Sequence, residues 1–288
     1  MVNVDLHLHS TRSDGKLSPT ELVRRAAANG VECLALTDHD EVGGLDEAAA
    51  AAQESGVAFV PGVEVSVTWN ETTVHVVGLG LDPRHPVLLG GLAGLRHQRA
   101  ARAALIAAQL EAIGIRGSLE GAYAHAENPD LIARTHFARF LVEAGCARDT
   151  AAVFRHYLTR GKPGYVPHRW AALRDAVDWI RAAGGIAVIA HPGRYRLSSA
   201  DAEQLVGEFR DLGGGALEIA TGSHEPAQAA AYARLARAFG LAASRGSDFH
   251  GPGEGSEPGR APALAPSLEP VWKALDLDAP VRASTSRA

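Results

Sequence analysis

The sequence predicts an α/β fold, a barrel of alternating strands and helices with a helical subdomain inserted into it. Three observations predict this. Apolar runs of strand length alternate with helix-patterned segments over residues 1–87 and again over 165–288. A histidine or carboxylate stands at the carboxyl end of most of these runs, and in barrels built by such alternation the chemistry sits at that end. Between 88 and 164 the strands cease and helix follows helix, as in an insertion. The strand candidates number seven, so an eightfold barrel is not required.

Val2 to Ser10 (VNVDLHLHS) is the first strand, with Val2, Val4, Leu6 and Leu8 on one face and Asp5, His7 and His9 on the other. Two imidazoles at i and i+2 on one face can take a single metal ion, with Asp5 placed to orient a ring. On spacing alone, a pair of solvated or core histidines is an equal reading. After a polar turn holding Asp14-Gly15, the stretch Ser18-Pro19-Thr20-Glu21 has capping-box spacing with proline at the first helical position. A helix is therefore expected from Pro19 to Asn29, ended by Gly30. Val31 to Thr37 is the second strand, with Asp38, His39 and Asp40 at its end, Asp40 being expected to cap the next helix. That alanine-rich helix runs from Leu45 to Ser55 and stops at Gly56.

Val57 to Val67 is the third strand, with a bulge at Pro61-Gly62. Glu64 lies in it among valines, and a carboxylate there needs a cation or a partner. The stretch from Trp69 to Thr72 is too short for a crossover helix, so Thr73 to Leu79 returns antiparallel, carrying His75. Helices are expected at Arg96 to Ile113, Leu131 to Ala144 and Asp149 to Thr159, with Gly114 and Gly145 as stops. Alternation resumes with a helix from Leu173 to Ala183 and a strand from Gly185 to Ala190 that breaks at His191-Pro192-Gly193. A helix, the strand Ala216 to Ala220, a helix to Gly240 and the strand Leu241 to Ser247 follow, the last ending at Asp248-Phe249-His250. A short helix is expected near Val271 to Leu275, and residues 276–288 read as a flexible tail.

Composition narrows the function. With 288 residues, 46% of them hydrophobic, the chain can bury a large core. A net charge of -5 provides no basic field for gripping duplex DNA by its phosphates. Cys33 and Cys146 form no CxxC pair, which excludes a zinc ribbon and suits buried thiols in a reducing compartment. Met1 leads straight into a strand without a signal-peptide pattern, and no run of about 18 apolar residues occurs. The expectation is a cytoplasmic protein with no membrane partner and no obligate protein partner. The thirteen histidines concentrate at the ends of apolar runs. His7, His9, Asp14, His39, Glu64, His75, His191, Asp248 and His250 together suit two or three divalent ions of the manganese, iron or zinc kind, with no thiolate to favour soft metals.

These residues stand in DLHLHS (5–10) with SDG (13–15), LTDHD (36–40), GVEVS (62–66), HVVG (75–78), AHPG (190–193) and SDFH (247–250). In that order the motifs resemble those of the PHP (polymerase and histidinol phosphatase) phosphoesterases. RTHFAR (134–139), YLTRGKPGYVPH (157–168) and GSH (222–224) bring the chain nearest to the bacterial branch of 3',5'-nucleoside bisphosphate phosphatases and 5'-3' exoribonucleases. The resemblance implies a distorted seven-stranded barrel, a helical insertion covering the site, and a trinuclear centre; the donor set of oxygen and imidazole makes manganese the foremost metal. By position, His7, His9, Glu64 and Asp248 would hold one ion, Asp14, His39 and His250 a second, and His75 and His191 a third, with Glu64 bridging. His191, His250 and Asp248 are expected to serve the chemical step, His191 as a candidate proton donor to the leaving oxygen.

For the substrate, Arg134 and His136 are expected to bind phosphate. Arg99 and Arg102, three apart on one helix, either clamp a phosphate or face solvent. Lys162, Arg194 and His224 are further candidates. The expected substrate is a small nucleoside bisphosphate or a short RNA. No GxSxG elbow, P-loop or dinucleotide-binding glycine pattern is present, so serine hydrolases, P-loop kinases and dinucleotide enzymes lack support. The rival readings are a phosphatase of another small phosphomonoester such as histidinol phosphate, and a non-catalytic PHP module.

Overall fold

The computed structural model describes residues 2–275, so the tail expected at 276–288 lies outside the described residues. Seven strands, β1 (Val4–Asp5), β2 (Cys33–Leu36), β3 (Ala58–Trp69), β4 (Thr72–Leu79), β5 (Ile186–Ile189), β6 (Ala216–Thr221) and β7 (Ala242–Gly246), lie in one sheet in chain order. β4 runs antiparallel to both neighbours and the other adjacent pairs are parallel. The sheet curls until its edges meet: Leu6 N–H donates to the Arg245 carbonyl at 2.9 Å, Asp248 N–H to that of His7 at 2.9 Å, and His9 N–H to that of Phe249 at 3.0 Å. The result is the distorted α/β barrel the sequence predicts.

The turn between β3 and β4 has two residues, Asn70 and Glu71, both at positive φ (42° and 60°). That geometry matches the twist of paired strands and fixes their register. The first strand is shorter than expected, because only Val4 and Asp5 join a ladder. Asp5 orients no imidazole: its carboxylate accepts from Ser247 N–H at 2.8 Å and Gly259 N–H at 2.7 Å. It therefore fastens the seam between β1 and β7.

Around the sheet lie α1 (Pro19–Ala28), α2 (Leu45–Ser55), α8 (Leu173–Ala182), α9 (Ser199–Asp211) and α10 (Pro226–Phe239); between β4 and α8 come α3 (Pro86–His97), α4 (Arg99–Ala112), α5 (Ser118–Ala124), α6 (Arg134–Glu143) and α7 (Thr150–Val153). α1 starts on the expected capping box, with Ser18 and Glu21 bonded reciprocally. One or two small apolar residues per strand, among them Val4, Ala35, Val60, Val77, Val188 and Ala216, fill the inside of the barrel. Leu88, Leu92 and Leu95 of α3 join the large core beneath α8 and α9, whereas Ile106, Leu110, Phe137 and Leu141 of α4 and α6 form a core of their own.

The helix expected from Arg96 to Ile113 is two helices joined at Gln98. The break lets both arms reach one loop, Arg96 donating to the Asp40 carbonyl at 2.8 Å and Arg99 to the Asp40 carboxylate. The helix expected from Asp149 to Thr159 is α7 capped by Asp149, continued as a π-turn over Phe154–Leu158.

Candidate metal centre

Because the parallel strands point the same way, their carboxyl ends meet at one mouth of the barrel. β4 enters from that end, which places His75, near its start, beside Ser66 of β3. All nine expected ligands converge there on Glu64, which is fully buried. Its Oε1 lies 2.9 Å from His75 Nδ1, 3.0 Å from His191 Nε2 and 3.3 Å from His7 Nε2. Its Oε2 lies 3.0 Å from His39 Nδ1 and 3.3 Å from His9 Nε2. Asp248 Oδ1 stands 3.3 Å from His7 Nε2 and 3.2 Å from His9 Nε2, and Asp14 Oδ1 stands 3.4 Å from His250 Nε2.

Three sets of ligand atoms are close enough to share an ion: His7, His9, Glu64 and Asp248; His9, Asp14, His39 and His250; and His39, Glu64 and His75. The first set coincides with the grouping expected from sequence, the second adds His9, and the third brings His39 to His75, with His191 meeting the same Glu64 oxygen. Buried polar atoms are normally hydrogen-bonded. Here His7 Nε2, both nitrogens of His9, Asp14 Oδ1, Glu64 Oε2 and Asp248 Oδ1 are buried without a hydrogen-bond partner, while Asp248 Oδ2 is paired with Arg194. Oxygen and imidazole donors left bare in this way suit divalent cations.

The electrostatics agree. Burial alone would raise Glu64, Asp14 and Asp248, yet all three are held well below the usual carboxylate range, Glu64 by His39, His75 and His7, Asp14 by His250 and His39, and Asp248 by Arg194 and His7. Burial would lower His7 and His9, but the carboxylates raise His7 well above its usual value and His9 to about 10. Burial pushes His191 and His250 down to about 4, helped by Arg194 and His9 respectively. The buried carboxylates thus demand positive charge at this point of the barrel, the demand that a divalent cation would meet.

Several supporting residues lie outside the expected set. Glu218, buried in β6, meets His7 Nδ1 with Oε1 at 3.1 Å and accepts from His191 N–H with Oε2 at 2.6 Å. The signal that singled out Glu64, a carboxylate inside an apolar strand, is equally present in the stretch Ala216-Leu217-Glu218-Ile219. A Cβ at Gly246 would collide with the His7 side chain and the Glu218 carboxylate, so only glycine allows this approach. Asp38 accepts from Ser10 N–H and from the hydroxyls of Ser10 and Ser13, bracing the loop that carries Asp14. Asp40 caps no helix: α2 is preceded by Gly44, and the Asp40 carboxylate binds Ser66 and Arg99. Asp40, His191 and Asp248 all adopt positive φ, a conformation held only where the surroundings over-determine it.

A cleft of about 700 Å³ opens over the cluster, lined by Asp14, His39, Glu64, His75, His191 and Asp248 on one side and by Arg99, Arg102, Arg134 and Phe154 on the other. Arg99 is buried and paired with Asp40; it and Arg102 both lie over the Trp170 ring, at 4.9 and 5.2 Å. Arg102 has no carboxylate partner among the described residues, and burial together with Arg134 and Arg99 lowers its pKa to about 9. Arg134, likewise lowered by burial, donates only to the Leu158 carbonyl at 3.3 Å. Arg194 joins Asp248 and the Ser223 hydroxyl at the opposite lip.

Three expected substrate contacts are placed elsewhere. His136 is fully buried, and its Nδ1 accepts from Ala133 N–H at 3.0 Å at the head of its own helix. His224 spends both nitrogens on backbone, Nε2 accepting from Gly193 N–H at 2.9 Å and Nδ1 meeting the Ile219 carbonyl at 3.0 Å. Lys162 is exposed and does not line the cleft.

Comparison with known proteins follows the same lines. The chain is 53% identical over 277 residues to a 3',5'-nucleoside bisphosphate phosphatase of Chromobacterium violaceum, covering 96% of this chain and 97% of the relative. It is 45% identical over 271 residues to the 5'-3' exoribonuclease Rnm of Escherichia coli, covering 93% and 92%. It superposes with a TM-score of 0.93 on the structure of an amidohydrolase from Chromobacterium violaceum with bound sulfate and no metal, at 52% identity and 96% coverage of each. The pattern of the PHP domain matches residues 5–222, which takes in eight of the site's side chains from His7 to Glu218, and the chain belongs to the PHP domain family.

Proposed function

We propose that the chain is a metal-dependent phosphoesterase that removes the 3'-phosphate of nucleoside 3',5'-bisphosphates, and that the same site cuts short 5'-phosphorylated RNA from its 5' end. The observation that carries this reading is one cleft with two anion-seeking sets of groups: a cluster of candidate metal ligands, and the half-buried guanidiniums of Arg102 and Arg134, which have no carboxylate partner among the described residues. A substrate with two phosphate-bearing positions answers both. An amide or a single-phosphate metabolite would leave the arginine side without its counter-charge.

In this reading residues 2–87 and 165–275 form the barrel and 88–164 cover the site. His7, His9, Glu64 and Asp248 would hold one divalent ion, Asp14, His39 and His250 a second, and His75 and His191 with Glu64 a third, manganese being the metal favoured by oxygen and imidazole donors. Such ions supply a water acidic enough to lose its proton near neutral pH and positive charge against the phosphoryl oxygens. Arg102 and Arg134 bind the phosphate that is kept, with Arg99 braced behind them by Asp40. Arg194, fixed by Ser223 and Asp248, is placed to orient the group that leaves. His191, whose Nε2 meets the Glu64 oxygen at 3.0 Å, would serve as a ligand in preference to a proton donor.

The test is a substrate panel on manganese-loaded protein: adenosine 3',5'-bisphosphate, 3'-AMP, AMP, histidinol phosphate and a 5'-phosphorylated oligoribonucleotide. The bisphosphate is expected to give the highest kcat/KM and the oligonucleotide to release mononucleotides. Preference for histidinol phosphate or AMP would overturn the substrate, and failure to degrade the oligonucleotide would remove the exonuclease half.

A further inference from the structure

We infer that Glu218 is a positioning residue that sets the proton arrangement of His7 and the seat of His191, and so decides whether the ion shared by His7, His9, Glu64 and Asp248 can bind. This rests on the reading of the cluster as a metal centre. β6 is the one strand that sends no side chain among the nine ligands, yet Glu218 reaches from it to two of them. Its Oε1 lies 3.1 Å and its Oε2 3.3 Å from His7 Nδ1, while Oε2 also accepts from the His191 backbone N–H at 2.6 Å. A carboxylate can only accept when ionised, so its presence at Nδ1 places the His7 proton there and turns the lone pair of Nε2 toward Glu64 and Asp248, each 3.3 Å away. His7 Nε2 has no hydrogen-bond partner, which leaves it free as a ligand.

The second bond acts on backbone. His191 has φ of 25°, a conformation that non-glycine residues avoid, and the Glu218 carboxylate is the acceptor for its N–H. Glu218 is 2% exposed, so water does not replace these bonds, and no other strand carries a group that could make both. The bareness of position 246 belongs to the same arrangement, since a Cβ there would strike both His7 and Glu218.

The informative substitution is Glu218→Gln, which preserves shape and removes one acceptor. A glutamine has a single carbonyl oxygen. Keeping it on the His191 N–H, the shorter of the two bonds, presents an NH₂ to His7 Nδ1, which must then accept, and the proton moves to Nε2. The expected result is a folded protein whose affinity for manganese or zinc at one site falls about 10- to 100-fold, with the remaining ions retained. Titration calorimetry and metal analysis read the affinity and stoichiometry. ¹⁵N spectra of the imidazoles, taken on the zinc-loaded parent and variant, read which His7 nitrogen carries the proton, a readout that loss of packing alone would not move.

Equal stoichiometry and affinity in parent and variant overturn the inference. So does an Nδ1-protonated His7 in the variant. If the parent itself takes up no ion, the metal-centre reading fails together with it. Glu218→Ala serves as a second arm: it leaves the choice of His7 proton to chance while giving His191 no acceptor, so it is expected to lose ions from both the His7 and the His191 sites.

Discussion

Among the buried histidines, His136 is the one whose titration acts on the fold without touching the ligand cluster directly. Its Nδ1 accepts from Ala133 N–H, and protonation would take that lone pair away. Burial, with Arg139 and Arg99 nearby, lowers its pKa from 6.5 to about 4, against a smaller opposing pull from Asp14. A group whose pKa is lower in the folded state contributes stability that is complete above its unfolded value and is lost as pH falls through its folded value. His136 should therefore contribute about 3 kcal/mol at pH 7 that disappears between about pH 6.5 and 4. Measured by denaturant unfolding of metal-free protein, the stability difference between parent and His136→Gln should shrink by about that amount over this range; parallel pH profiles would refute it. His136 was legible only as part of a motif, which gave it an expected contact to phosphate; sequence shows a histidine near arginines but not which backbone amide its Nδ1 serves. Glu64 was legible from its valine neighbours. Glu218 offered the same signal and had no motif to point at it.

The helical segment shows where pattern loses resolution. α4 is alanine-rich, and alanine favours helix without marking a face or an end, so the junction at Gln98 left no trace in the periodicity. The barrel elements were easier, since glycine stops, a capping box and strand-end histidines punctuate them. Arg134 opens α6 while Arg99 and Arg102 lie on α4, so the proposed phosphate clamp spans two helices joined by their own apolar core. Removing one guanidinium should cost about 1.5–3 kcal/mol of charge-assisted bonding, tenfold or more in kcat/KM, on substrates with a second phosphate. Arg134→Ala compared with the parent on adenosine 3',5'-bisphosphate and on 3'-AMP checks this. A loss confined to the bisphosphate is expected, and equal losses on both would show that Arg134 does not read the second phosphate.

At the scale of the molecule, the ligands come from the ends of six strands, so bound ions tie the mouth of the barrel together. Each ion present at about a hundred times its Kd adds roughly 2.7 kcal/mol to stability, which for a chain of this size raises Tm by several degrees. Chelation should lower Tm by that much and abolish activity, and manganese should restore both. An unchanged Tm after verified metal loss would mean that the cluster does not hold its ions in the folded state. The reversal of β4 was legible because the stretch from Trp69 to Thr72 is too short for a crossover helix. The seam was not, because Asp5 bonding to Ser247 and Gly259 joins residues 242 and 254 positions apart, and no local pattern reports on such a pairing. Among the described residues no helix is long and apolar enough to cross a membrane.

That seam gives the centre a history as well as a shape. Glu64 and His75 are 11 residues apart on a hairpin with its own tight turn, and His7 and His9 join them through β1 and β2, which pair in chain order, whereas Asp248 and His250 arrive only when β7 closes on β1 and the two ends of the chain meet. Contacts between distant residues close the longest loops and cost the most entropy to form. The pocket is therefore assembled around its N-terminal half, and a truncated copy lacking β7 and the residues after it would lack the Asp248 and His250 that complete the cluster.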